Sequence, residues 1–86
     1  MVVRKLNIGQ KNLLHALYDH TVNLRKTPGM FRQRYEEGCS QKMWGVDETL
    51  ILEEERLIKL PQGLLQAGIM CPSLTSSGRR YVEAVA

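Results

Sequence analysis

The chain has 86 residues, 43% of them hydrophobic and 24% charged, with a net charge of +3 and a pI near 9.1. Those values fit one small globular domain over residues 1–86 and exclude intrinsic disorder, which needs low hydrophobicity and high net charge. No apolar run approaches the ~20 residues that span a bilayer, and the first residues lack the apolar segment and cleavage site of a secretory signal, so a cytoplasmic protein without a membrane partner is expected.

The first helix is predicted over residues 8–26, opened by Asn7 or Gly9. Leu13, Leu14, Leu17, Tyr18, Val22 and Leu24 recur at the spacing of one buried stripe. Arg25 and Lys26 suit the negative end of the helix dipole. Thr27-Pro28-Gly29 then breaks the chain, because Pro28 biases its predecessor away from helical backbone. A short second helix is predicted from Met30 to Glu37, closed by Gly38. Phe31 and Tyr35 are i,i+4 neighbours on its core side, with Arg32 and Glu36 paired on the other. In residues 39–45, Ser40 is a candidate cap for a further turn carrying Lys42, Met43 and Trp44.

The third helix is predicted over residues 46–56. Asp47 favours its N-terminal end. Val46, Leu50, Ile51 and Leu57 are expected to face inward, and Glu48, Glu53, Glu55 and Arg56 outward. Residues 57–60 alternate as a strand does, Pro61-Gln62-Gly63 signals a turn, and residues 69–74 return as a second strand. Pro72 confines that strand to an edge or irregular position. Thr75 is a good N-cap for a terminal helix over residues 76–86. Gly78 sits where its first turn can approach another backbone, and Tyr81, Val82 and Val85 share one face. The predicted order is α-α-α-β-β-α, mainly helical with a small β-hairpin.

Charge is unevenly spread. Residues 1–43 carry eight Lys and Arg against three Asp and Glu, whereas residues 44–86 carry four against six. An anionic partner is therefore drawn to the first half and repelled by the second. Arg25, Lys26, Arg32, Arg34 and Lys42 gather around the second helix, with Gln33, Ser40 and Gln41 between them. Trp44 beside Lys42 has two readings, a base-stacking ring or, more commonly for a lone tryptophan, a core plug between helices.

Two strings resemble the winged helix-turn-helix superfamily. One is Leu50-Ile51-Leu52-Glu53-Glu54-Glu55-Arg56-Leu57-Ile58, similar to a helix that turns into a Leu-Ile strand. The other is Leu74-Thr75-x-x-Gly78-Arg79-Arg80-Tyr81, similar to the strand-to-helix junction of bacterial regulators of the multiple-antibiotic-resistance and phenolic-acid types. The likeness covers roughly residues 46–86 and extends to the first 45 by helix order alone. It implies a small, dimeric DNA-binding transcriptional regulator whose third helix enters the major groove and whose wing spans residues 61–68. Phosphate contacts are then expected from Arg25, Lys26, Arg32, Arg34 and Lys42, with Gln41 beside them. Thr49 is the expected base-facing side chain, and Gln62 the wing contact. This sequence departs from that pattern at Asp47, Glu48 and the three glutamates 53–55, and residues 61–68 hold no Arg or Lys. The alternative is a winged-helix interaction module without DNA binding. Its acidic third helix would dock a basic partner, and the apolar Leu60, Leu64, Leu65, Ile69 and Met70 would form a dimer contact.

Catalytic signatures are missing from the sequence. No serine sits in a nucleophile elbow and no Gly-rich phosphate loop occurs, so no enzyme and no cofactor are expected. His15 and His20 are five apart, about 140° around a helix, and no metal site follows from them. Cys39 and Cys71 read as small buried hydrophobes in preference to a disulfide.

Overall fold

The computed structural model describes residues 5–61 and 71–85. Helix α1 spans Ile8–Tyr18 and begins with a reciprocal cap. The Asn7 side chain accepts from the Gln10 amide at 2.8 Å, and Gln10 Oε1 accepts from the Asn7 amide at 2.9 Å. Two of the orphan donors at the helix start are thereby satisfied. Leu13, Leu14 and Leu17 are fully buried, as their spacing requires.

The first helix does not run on to residue 26 in one register. It widens into a π-helical turn over Asp19–Asn23, where the Leu24 amide bonds back to the Asp19 carbonyl at 2.9 Å. The wider turn rotates everything after it. His20 swings into the core, while Leu24, expected on the buried stripe, is half exposed. The His20 ring meets Phe31 edge-on at 5.2 Å, and its Nε2 donates to the Thr27 carbonyl at 2.7 Å.

A 3-10 turn over Pro28–Phe31 leads into α2, Arg32–Ser40. Gly38 does not close this helix but lies inside it, because the indole of Trp44 packs where a side chain would otherwise stand. No further helical turn forms on Ser40. The chain reverses at Lys42, whose φ is 60°, with the Met43 amide bonded to the Gly38 carbonyl at 2.8 Å and the Lys42 amide to Cys39 at 3.1 Å. Helix α3, Val46–Glu54, ends in the same geometry. Arg56 has φ 62°, and the Leu57 amide bonds to Leu52 at 3.0 Å. Both ends are Schellman closures with a cation in the left-handed position where glycine is usual.

Strand β1, Ile58–Lys59, follows at once and pairs antiparallel with β2, Ser73–Leu74, aligning Ile58 with Leu74 and Lys59 with Ser73. Both strands are shorter than predicted; residues 69 and 70 lie outside the described part. Thr75 then caps helix α4, Ser76–Val85. Its hydroxyl accepts from the Gly78 amide at 3.0 Å and donates to the Arg56 carbonyl at 2.7 Å, which ties the start of α4 to the end of α3. Gly78 packs against the Leu57 carbonyl and leaves no space for a Cβ. The architecture is mainly helical with one small antiparallel two-stranded element. Helix α1 packs against α3, α4 and β2 over the core formed by Leu13, Leu17, Phe31, Leu52, Leu57 and Val82. No helix among the described residues is long and apolar enough to cross a membrane.

Candidate functional site

The roll of α3 about its axis is set by a buried chain of hydrogen bonds. Thr49 Oγ1 donates to the Gly45 carbonyl at 2.9 Å and, its one proton so used, accepts from the Tyr35 hydroxyl at 2.8 Å. The Tyr35 carbonyl in turn accepts from Trp44 Nε1 at 3.1 Å. Burial pushes the Tyr35 phenol up to about 12. The Trp44 ring stacks on Phe31 at 6.3 Å and is 6% exposed, so it is the core plug and not a stacking platform. Thr49 is fully buried, which corrects the expectation that it faces a base.

With Thr49 and Leu52 turned inward, the inward face expected from Val46 and Leu50 is overturned. These two point to solvent, 47% and 41% exposed, beside the exposed Asp47, Glu53 and Glu54. The helix shows water a mixed acidic and apolar strip without a cation. Beside that strip an open groove of about 580 Å³ lies between the starts of α1 and α3, lined by Ile8, Gly9, Asn12, Met43 and Glu48, with Lys42 as its one cation among the described residues. Asn12 Nδ2 donates to the Met43 carbonyl at 3.2 Å and holds the groove's wall in place. Ile8 is 78% exposed and Met43 41%.

The predicted phosphate contacts are dispersed. Arg32 pairs with Glu36 at 3.5 Å, as its spacing anticipated, and Arg34 pairs with Asp19 at 3.1 Å. Asn23 and Arg34 together hold the Asp19 carboxyl below the usual carboxylate range. Lys26 and Arg34 line one groove of about 300 Å³, together with Gln33, His20 and the carboxylate Glu37. Arg25 lines a different cleft, with Arg79. Lys42 lies on the wall of the α1–α3 groove, and Gln41 is exposed at the end of α2. Gln62 lies outside the described residues, as do Leu64, Leu65, Ile69 and Met70 of the expected dimer contact. Leu60 is partly buried against the core.

Sequence reasoning missed the junction of α1 with α4. The Tyr18 hydroxyl donates to Glu83 Oε2 at 3.0 Å, and the same oxygen receives Arg79 Nε at 3.2 Å. The Tyr18 bond first, and then Arg79, keeps the Glu83 carboxyl below its ordinary value. Only the i,i+4 spacing of Arg79 and Glu83 was visible as a signal. Cys39 and Cys71 are both half-buried and unbridged. Among the described residues no group of three or more His, Cys, Asp or Glu side chains is placed to hold a metal. Comparison with protein-family models, with curated proteins and with solved structures returns no match to this chain.

Proposed function

We propose that this chain is a winged-helix interaction module whose third helix docks a basic, amphipathic segment of a partner protein. The order α3-β1-β2-α4 and the Thr75–Gly78 junction support the winged-helix reading. The observation that carries the function is the exposed face of α3: Val46, Asp47, Leu50, Glu53 and Glu54. A helix inserted in a major groove meets phosphates on both sides, and each carboxylate within about 7 Å of one costs roughly 0.6 kcal/mol even at the dielectric of water. A lysine-rich helix meets the same carboxylates favourably. Its apolar side covers Val46, Leu50 and Met43, which gain about 25 cal/mol for each Å² removed from water.

The test is fluorescence polarisation with a labelled Lys/Leu amphipathic helical peptide, its Glu/Leu counterpart and a duplex DNA. The Lys/Leu peptide is expected to bind and the Glu/Leu peptide not. Glu53→Lys with Glu54→Lys, or Leu50→Asp alone, should weaken binding about tenfold or more, the scale of a central interface residue. Equal binding of both peptides, or none, would overturn the reading.

A second reading, the small DNA-binding regulator, is favoured by one specific observation: Lys26, Gln33 and Arg34 line one groove. Under it, Arg32→Ala with Arg34→Ala lowers affinity for any duplex and flattens the dependence of log K on log salt. Duplex binding that is strong and lost on substituting Val46 and Leu50 would move the third helix back into the groove.

A further inference from the structure

A cleft of about 360 Å³ lies between the π-helical turn and the start of α4, lined by Thr21, Val22 and Arg25 on one side and by Leu74, Thr75, Ser76 and Arg79 on the other. Its donors come from two elements that are distant in the sequence. Arg25 stands at φ 54°, just beyond the π turn. The residue is exposed, and its guanidinium has no ion pair or hydrogen bond among the described residues. Arg79 spends only Nε on Glu83, at 3.2 Å, which leaves both terminal nitrogens of its fork unbonded. Glu83 is itself held by the Tyr18 hydroxyl at 3.0 Å, so the Arg79 guanidinium is braced from behind. The hydroxyls of Thr21 and Ser76 also have no partner among the described residues.

No carboxylate lines the cleft. The Gly78 amide at the helix start is already taken by Thr75 Oγ1 at 3.0 Å, and the formal positive charge lining the cleft is that of the two guanidiniums. Two planar forks and two hydroxyl donors around one concavity match an anion with several oxygens and more than one negative charge. Val22 and Leu74 add an apolar wall for whatever carries that anion. We infer that the Arg25–Arg79 cleft is a binding site for a phosphoryl group, independent of the α3 face. The bound group is held by both guanidiniums, and Tyr18 and Glu83 act as positioning residues for Arg79.

The experiment is an NMR titration of the full chain with inorganic phosphate, phenyl phosphate and a short DNA duplex, each repeated with sulfonate-free chloride buffer as the baseline. Phosphate is expected to move the amide signals of Thr21, Arg25, Ser76 and Arg79 together and saturably. Arg25→Ala and Arg79→Ala should each weaken it about tenfold or more, the scale of a lost charge-assisted hydrogen bond. Arg79→Lys should recover only part of the loss, since it keeps the charge and gives up the fork. Arg80→Ala, which removes an exposed cation outside the cleft, should leave binding unchanged. Tyr18→Phe should weaken phosphate binding less than Arg79→Ala while the dispersion of the spectrum stays native. Tighter binding of phenyl phosphate than of the duplex identifies a free phosphorylated compound as the ligand. The reverse, with a salt slope reduced in Arg25→Ala, identifies a nucleic-acid backbone. The site is refuted if none of the three probes moves these signals, or if Arg80→Ala weakens binding as much as Arg25→Ala does.

Discussion

Thr49 illustrates how one hydroxyl orients an element. Threonine is a poor helix former but a good internal donor, because its Oγ1 can bond back to a carbonyl four residues earlier. Here that bond reaches Gly45 at 2.9 Å and leaves the oxygen to receive Tyr35. Thr49→Val keeps the shape and leaves the buried Tyr35 hydroxyl without its acceptor. A loss of about 1–3 kcal/mol is expected in urea unfolding. Tyr35 also carries a pH signature. Its folded value of about 12 lies above the ordinary 10.0, so the unfolded chain loses this proton first. The stability it contributes is full below pH 10 and declines as pH rises toward 12. The stability difference between wild type and Tyr35→Phe should shrink over that window and stay constant below it. Gly78 gives a second residue-level test. A methyl there meets the Leu57 backbone, which cannot yield as a side-chain tip can, and Leu74 Cδ1 at 2.9 Å. Gly78→Ala should cost about 1–3 kcal/mol or more, as overpacking does. Gly29→Ala, with nothing within 4 Å, should be neutral or slightly stabilising.

At the scale of elements, the recurring device is the helix end. The π turn is followed by Arg25, α2 by Lys42 and α3 by Arg56, each a cation with φ between 54° and 62°. A cation there answers the partial negative charge of the last carbonyls, but an L side chain in this conformation carries a steric cost of roughly 1–2 kcal/mol that glycine avoids. Arg56→Gly and Lys42→Gly are therefore expected to raise stability by about 0.5–1 kcal/mol, the steric relief less the lost dipole interaction and the added freedom of the unfolded glycine. Denaturant midpoints check this, and a fall in either variant would mean that the cation outweighs the strain. These closures also explain the boundary errors. Gly38 looked like punctuation in the sequence, yet it lies within α2 and admits the Trp44 ring, whereas Gly45 does stand at the boundary, as the N-cap of α3, and supplies a carbonyl to Thr49. The true reversals occur at Lys42 and Arg56, residues that no turn rule singles out.

Across the whole molecule, α1 is the shared partner of α3, α4 and β2, and Leu17 lies fully buried in the core that they form. A domain of this size has roughly 5–10 kcal/mol of stability, and a fully buried Leu→Ala costs about 2–5 kcal/mol. Leu17→Ala should therefore lower the thermal midpoint by roughly 10–30 °C. Glu53→Lys with Glu54→Lys should leave the midpoint nearly unchanged, because both side chains are exposed. That contrast separates the exposed outer face of α3, where docking is proposed, from the inner face that holds the fold together.

The local signals in this chain were sufficient to locate its described helices along the sequence, though not their ends, and to specify the cap at Thr75, the close approach at Gly78, the buried Phe31–Tyr35 pair and the Arg32–Glu36 bridge. Each depends on neighbours a few residues apart, where spacing alone determines who meets whom. Tertiary structure alone decided the π turn that turned His20 inward, the roll of α3 that buried Thr49 and exposed Val46 and Leu50, and the convergence of Arg25 with Arg79. Those outcomes depend on contacts made across turns and between elements, which spacing within one helix does not specify: the Trp44 ring lying over Gly38, the Tyr35 hydroxyl reaching Thr49, and α4 folding back on α1. Hydrophobic periodicity ranks which side chains prefer burial. When several compete for a small core, it is packing volume and hydrogen-bond satisfaction that choose among them.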